Sequence, residues 1–434
     1  MSFDNEWKES ELGLIPINWT VKRIKEIGEV IGGGTPSTKR SEYYDGDIPW
    51  ITPKDLSDHI DRYIFMGERS ITKEGLNNSS AKLLPKGTVL FSSRAPIGYV
   101  AIAGQELCTN QGFKSIVCNE SVNNLFIYYT MKMSKEAMES IASGSTFKEV
   151  SGSTVKEFKI KIPPLREQKE IAGILSSLDD KIELNNAINK NLEEMAQALF
   201  KRWFVDFEFP NKNGEPYKSS GGEFEESELG LIPKGWRVEF LPDWIDFLEG
   251  PGIRNWQYKE EGIKFLNIRC IKNQDLDLST ANKVSTEEAN GKYKHFLLEE
   301  GDVVVSTSGT LGRSAIVRKE HLPLMLNTSI IRFRPKNGMC YSYMYSYLIS
   351  QEFINELNTK ASGSVQLNFG PKHLKTIKLV IPPKRMLTIF ENIIGPLIAE
   401  MCRLKSENSI LSIIRDTLLP KLMSGEIRVP VDQP

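Results

Sequence analysis

One octapeptide occurs twice in this chain, and it constrains the fold more than any other feature. Glu9-Ser10-Glu11-Leu12-Gly13-Leu14-Ile15-Pro16 recurs without a change as Glu226-Ser227-Glu228-Leu229-Gly230-Leu231-Ile232-Pro233. A tryptophan follows each copy three residues later, Trp19 and Trp236. The correspondence extends downstream. Leu84–Ser92 matches Leu298–Ser306, each a glycine-containing turn feeding a β-rich run. Gly98 and Gly312 mark matching loops, Asn110 and Asn327 matching polar stretches, and Ile162-Pro163-Pro164 matches Ile381-Pro382-Pro383. Between these anchors, residues 30–80 and 247–295 have little in common. One framework is therefore used twice with different variable content. A purely structural protein has no need of that divergence, whereas a reader of two different targets does.

Each Pro-Pro pair should end an extended segment, because the residue before a proline is pushed out of the right-handed helical region. A long heptad pattern follows in both halves. Positions 171, 175, 178, 182, 185, 189, 192, 196 and 199 read Ile, Leu, Leu, Ile, Asn, Asn, Leu, Ala, Leu. The matching positions 390, 394, 397, 401, 404, 408, 411, 415 and 418 read Phe, Ile, Leu, Met, Leu, Asn, Leu, Arg, Leu. The seams predict an intramolecular antiparallel coiled coil, with Asn185, Asn189 and Asn408 fixing its register. At about 1.5 Å per residue it would form a rod of roughly 50 Å separating two globular heads. Pro396 should kink or restart the second helix.

The expected organisation is mixed α/β (α+β), with a pseudo-two-fold internal repeat. Residues 1–165 form a first globular domain and 166–209 a first spacer helix. Residues 210–226, rich in Gly, Ser and Asn, read as a linker. Residues 227–384 form a second globular domain, and 385–434 a second spacer helix with a C-terminal tail.

Composition restricts the function classes. No stretch approaches the ~20 apolar residues of a membrane span, and the polar start Met1–Glu6 has no apolar signal-like core. Five scattered cysteines, with no CxxC pair, fit free thiols in a reducing cytoplasm. The four histidines lack metal-ligand spacing, so no metal site is expected. A net charge of −1 neither supports nor excludes a nucleic-acid partner.

The order of motifs resembles a known family over nearly the whole chain. A variable domain leads into Ile162-Pro163-Pro164-Leu165-Arg166-Glu167-Gln168, a long helix and Phe200-Lys201-Arg202-Trp203-Phe204-Val205-Asp206-Phe207. Then come Gly230-Leu231-Ile232-Pro233 with Trp236, a second variable domain, a second helix and Leu419-Pro420-Lys421-Leu422-Met423-Ser424-Gly425-Glu426-Ile427. This arrangement is similar to the specificity subunits of type I restriction–modification systems. One departure is that Ile381-Pro382-Pro383-Lys384-Arg385-Met386 lacks the Leu-x-Glu-Gln (Leu165, Glu167, Gln168) of the first copy, so local packing should differ there.

The resemblance implies two target-recognition domains reading the halves of a bipartite site in double-stranded DNA, about one helical turn (~34 Å) apart. Since the variable regions differ, the target should be asymmetric. The resemblance also implies two modification (methyltransferase) subunits binding S-adenosylmethionine and two restriction subunits (endonuclease and translocase) using ATP and Mg. No cofactor is expected in this chain.

Motifs for catalysis are missing. The Pro-Pro pairs follow Ile and precede Leu165 or Lys384, unlike the [Asp/Asn/Ser]-Pro-Pro-aromatic element of amino-methyltransferases. Gly32-Gly33-Gly34-Thr35-Pro36 reads as a loop rather than a cofactor cradle. There is no GxxxxGK[ST] phosphate loop. A non-catalytic subunit is the expectation; the alternative from another class is a protein-binding scaffold with a coiled-coil spacer.

Base reading uses Arg or Lys against guanine and Asn or Gln against adenine, while Lys, Arg and hydroxyls meet phosphates. Candidates in the first domain are Thr35, Ser37, Thr38, Lys39, Arg40, Arg94, Asn110, Gln111, Lys114 and Lys148, the last within a stretch beginning at Ser145. In the second domain they are Arg254, Asn255, Gln257, Tyr258 and Lys259, with Trp256 among them, then Arg313, Asn327, Gln366 and Lys372. Positions shared by the halves, such as Asn110 and Asn327, suit framework or phosphate roles. The unmatched segments 35–40 and 254–259 suit sequence discrimination.

Overall fold

The computed structural model describes residues 6–57, 59–144, 148–308, 311–336, 338–360 and 369–430. By contact, the chain divides into a unit of residues 1–183 with 410–434, and a unit of residues 184–409. This division runs through both long helices, with residues up to 183 and from 410 in the first unit and 184–409 in the second.

Both units are mixed α/β and repeat one element order. In the first, a five-stranded sheet contains Gly28–Gly32, Lys114–Cys118, Val89–Ser93, Ile97–Ala103 and Tyr63–Ile64 in that spatial order. In the second, Ile245–Glu249, Ile330–Pro335, Val303–Ser306 and Ser314–Ile316 form the matching four-stranded sheet. Each unit adds a three-stranded sheet with one parallel pairing, Cys108 on Trp50 in the first and Lys264 on Leu324 in the second. The central strands are buried along their length (Val89–Ser93, Val303–Ser306), as their β-branched and aromatic runs demand. No helix among the described residues is long and apolar enough to cross a membrane.

The proline pairs act as expected. Strand Lys159–Ile162 stops at Pro163 and helix Leu165–Phe200 follows; strand Lys378–Ile381 stops at Pro382 and helix Lys384–Ser424 follows. Within each unit the two helical segments run antiparallel. In the first, Ile171 and Leu175 share a core with Leu419 and Leu422, and Asp179 meets Arg415 at 2.6 Å. In the second, Asn185 donates to Asn408 at 2.8 Å, while Ala196 and Phe200 share a core with Phe390 and Ile394. The expected restart at Pro396 does not occur: the helix is unbroken from Lys384 to Ser424. Ile394, Ile398 and Met401 are all buried in the core of the second unit, and burying three such side chains outweighs the roughly 3 kcal/mol of an interior proline.

The seam asparagines differ in their circumstances. Asn408 accepts from Asn185 and donates to Asn186 at 2.8 Å. Asn189 is buried, and neither end of its amide has a hydrogen-bond partner among the described residues. Replacing Asn408 by leucine removes its hydrogen bonds to Asn185 and Asn186, leaving the Asn185 Nδ2 only Glu407 at 3.2 Å, and should cost about 1–3 kcal/mol, whereas Asn189→Leu should be neutral or stabilising by about 1 kcal/mol. Urea midpoints of the two variants check this contrast.

A buried arginine fastens each unit's outer loops to its long helix. In the first, Arg62 donates to Glu183 from its backbone N–H at 2.8 Å and from Nε and Nη2 at 2.9 Å, and also pairs with Asp180. Burial works against its charge, but the two carboxylates outweigh it and raise the guanidinium further above its usual range. In the second, Arg318 contacts Asp275 (2.5 Å) and Glu320 (2.6 Å), and Glu320 accepts from Ser406 on the helix at 2.6 Å.

The segment expected as a linker is folded. Phe209 stacks on Tyr217 (4.5 Å between centroids) and on Trp236 (4.8 Å), and Phe224–Ser227 pairs with Gly230–Pro233. Its Gly and Ser residues mask two aromatic anchors, which bury enough area to hold the turn in place. The divergence at residues 384–386 is also explained. Buried Glu167 accepts from Asn18 and meets Arg428, and buried Gln168 bonds Asn123 and Pro163. At the matching positions of the second unit, Met386 and Leu387 pack on the aromatic core instead.

Candidate nucleic-acid interfaces

In each unit, several loops converge at one end of the main sheet, and close backbone contacts hold them there. In the first unit the chain leaves strand Gly28–Gly32 as irregular structure, not as a helix, which fits the loop reading of Gly32–Pro36. Gly34 N–H donates to the Thr109 carbonyl at 2.9 Å. A Cβ on Gly33 would lie 1.9 Å from the Asn110 carbonyl oxygen, so only glycine fits. The second unit repeats this contact: a Cβ on Gly250 would lie 2.3 Å from the Asn327 carbonyl oxygen. Serine braces the neighbouring hairpin in both. Ser92 Oγ accepts from Tyr99 N–H and donates to the Pro96 carbonyl, both at 2.8 Å; Ser306 Oγ accepts from Arg313 N–H at 3.0 Å. A third segment closes the cluster, with Val150 N–H on the Ser93 carbonyl and Phe369 N–H on the Thr307 carbonyl, each at 3.0 Å.

This convergence brings together Thr35, Arg94, Asn110, Gln111, Lys114 and Lys148, which are scattered in sequence. Thr35 contacts the exposed Gln111 side chain. Lys114 Nζ lies 3.2 Å from Glu149, which also meets Arg94 at 3.5 Å, and Lys148 is exposed beside it. Asn110 acts in the framework: its Oδ1 accepts from Gly112 N–H at 2.8 Å and shapes the turn. Ser37, Thr38, Lys39 and Arg40 form an exposed turn just beyond, anchored by Tyr44 Oη donating to the Pro36 carbonyl at 2.7 Å. Arg40 pairs with the exposed Glu42 at 3.1 Å, a contact that water screens.

In the second unit, Arg254, Asn255, Lys259, Arg313 and Lys372 are exposed, and Trp256, 77% exposed, stands beside the first two. Two candidates, Gln257 and Asn327, prove to be internal, and Tyr258 is half-buried. Gln257 is 3% exposed and donates to Glu288 (3.1 Å) and Tyr293 (3.0 Å). Tyr258 packs on Phe265 at 5.3 Å. Asn327 is 6% exposed, accepting from Ile253 N–H at 3.3 Å and donating to Asn267 at 3.0 Å. The polar atoms of Gln257 and Asn327 satisfy buried partners, as interiors require. Gln366 and Ser145 lie outside the described residues. Sequence reading missed Glu149, because its partners are distant in the chain and no local pattern marks them. Among the described residues, no group of three His, Cys, Asp or Glu side chains is arranged to hold a metal ion.

The family model for the type I restriction–modification DNA specificity domain matches the chain twice, at residues 16–194 and 233–395. The chain belongs to the type I specificity-subunit family. The specificity subunit of the type I restriction enzyme MjaIX from Methanocaldococcus jannaschii is 36% identical, over 98% of each chain. That of HindI from Haemophilus influenzae is 26% identical, over 81% of this chain and 89% of the relative. The crystal structure of a type I S subunit from M. genitalium shares the fold, with a TM-score of 0.54 and 18% identity over 94% of this chain and 96% of that one. As a specificity subunit, the chain is the sequence-specific DNA-recognition component of its system. Each of its two matched domains carries one of the loop clusters described above.

Proposed function

We propose that each unit reads one half of an asymmetric, bipartite DNA site and that this chain directs, without catalysing, methylation or cleavage by its partners. One observation carries the reading: equivalent braces hold equivalent loops in both units, yet the exposed side chains on those loops differ. Thr35, Ser37, Thr38, Lys39 and Arg40 face solvent or its edge in one unit, and Arg254, Asn255, Trp256 and Lys259 in the other. Arg94 and Arg313 occupy the matching hairpins; Arg94 shares Glu149 with Lys114, while Arg313 is the more exposed. The partners are two modification subunits carrying S-adenosylmethionine and two restriction subunits using ATP and Mg, in the cytoplasm.

The test is binding by the assembled methyltransferase to its cognate duplex and to duplexes altered in one half-site. Arg313→Ala should weaken cognate binding by about 1–3 kcal/mol, roughly 5- to 150-fold, and relax preference within one half only. Equal weakening on every duplex would make Arg313 a phosphate contact. An assembled complex with no preference for any sequence would favour the protein-scaffold reading.

A further inference from the structure

Glu149 is a carboxylate set between two cations in the loop cluster of the first unit. Its backbone is fixed by a pair of hydrogen bonds exchanged with Ser143, at 2.9 and 3.1 Å. One carboxylate oxygen lies 3.2 Å from Lys114 and the other 3.5 Å from Arg94. The Lys114 side chain is 15% exposed, and its ammonium also donates to the Ser93 hydroxyl at 3.4 Å and the Gln111 carbonyl at 3.5 Å. An ammonium has three donors, and these three acceptors account for all of them. Lys114 is thereby committed to holding the carboxylate rather than a phosphate.

Equivalent backbone contacts fix which residues of the second unit correspond. Val150 N–H on the Ser93 carbonyl matches Phe369 N–H on the Thr307 carbonyl. Ser308 therefore stands in the place of Arg94 and, in sequence, Asn368 in that of Glu149. Lys114 pairs with Gly32 and Ile331 with Glu249, each partner one residue before the glycine of the close contact, so Ile331 stands in the place of Lys114. None of the three charges is repeated. On frameworks that otherwise match, a charged trio confined to one unit belongs with the content that distinguishes two targets.

On the half-site reading proposed above, these loops face DNA. Phosphate repels a lone carboxylate there, but Arg94 and Lys114 leave the trio net positive. The Glu149 side chain is 36% exposed, and of the roughly four acceptor positions of a carboxylate the two cations take two. A carboxylate has no donor, so its open positions can be satisfied on DNA only by a group that donates. In the major groove such groups are the exocyclic amines, cytosine N4 and adenine N6. Resting on that half-site reading, we propose that Glu149 is a specificity-determining residue that accepts from an exocyclic base amine in the half-site of the first unit, positioned by Lys114 and Arg94.

The experiment uses the full chain assembled with its modification subunit. Methylated-base mapping gives the target; equilibrium binding is then measured on duplexes substituted at each position, and on duplexes lacking one amine (purine for adenine, 2-pyrimidinone for cytosine). Glu149→Gln should weaken cognate binding roughly 5- to 150-fold and change base preference at one position of one half-site. Wild type should lose as much on the duplex lacking the amine at that position, and Glu149→Gln should lose nothing further on it. The analogue that behaves this way identifies the base as adenine or cytosine. Glu149→Asp keeps the acceptor, and should keep the preference for the amine at reduced affinity. Both variants should melt close to wild type, because the side chain is part-exposed. Equal, tighter or uniformly weaker binding of Glu149→Gln to every duplex, with base preferences intact, would make Glu149 a counter-charge for Arg94 and Lys114. That result would overturn the assignment and leave half-site reading standing. A wild-type complex with no sequence preference would overturn both.

Discussion

Replacing Asp179 by alanine should destabilise the unit of residues 1–183 and 410–434 by about 3–5 kcal/mol, the cost of stranding one member of a buried charge pair. Asp179 is buried on the first long helix. Its Oδ2 accepts from Tyr129 Oη and its Oδ1 from Arg415 Nη1, both at 2.6 Å. Burial opposes the Arg415 charge, and Asp416 and Asp179 more than offset it, so the guanidinium stays protonated. Burial, with the Asp179 carboxylate next, pushes the Tyr129 hydroxyl well above its usual range and keeps it a donor. Without the carboxylate, the Tyr129 hydroxyl loses its acceptor and the guanidinium keeps only the exposed Asp416 at 2.9 Å. Urea unfolding should show an early transition belonging to this unit. The double variant Asp179→Leu/Arg415→Met, which removes both charges, should recover much of the loss. An unchanged midpoint for Asp179→Ala would mean that the pair contributes nothing to the helix contact.

The second large effect concerns the glycines behind the loops proposed to read DNA. A Cβ at Gly250 would lie 2.3, 2.4 and 2.5 Å from the carbonyl oxygen, carbonyl carbon and nitrogen of Asn327, all backbone atoms that no rotamer change can move aside. Gly250→Val should cost about 1–3 kcal/mol or more through overpacking. It should displace the loops bearing Arg254 and Asn255, degrading recognition of one half-site while sparing the other. Gly33→Val should produce the converse. The check is half-site preference of each variant within the assembled complex, alongside its melting curve; loss of both half-sites from either variant would contradict the independence of the two loop clusters.

Much of this architecture was legible in the sequence, because it rests on periodicity and repetition. Heptad positions such as Ile171, Leu175, Ala196, Phe390, Ile394, Met401 and Leu404 are buried where the spacing places them, and Pro163 and Pro382 end their strands because the restriction on the preceding residue is local. What depends on tertiary contact was hidden. Arg415 weakens the seam as written, yet Asp179, one position off that seam, neutralises it. The Gly-Ser composition of residues 210–226 concealed the anchors Tyr217 and Phe224. Among the site residues, a polar side chain in a loop reads alike whether it faces solvent or a buried partner. Gln257 and Asn327 were therefore indistinguishable from Asn255 until Tyr293 and Asn267 were seen against them.

The central claim is tested most directly by mapping every methylated base in a methylation-free host that expresses this chain with its modification subunit. The account predicts one asymmetric motif, two short specified blocks around a fixed gap, that disappears when this chain is omitted. Methylation without such a motif, or a motif that persists without this chain, would contradict it.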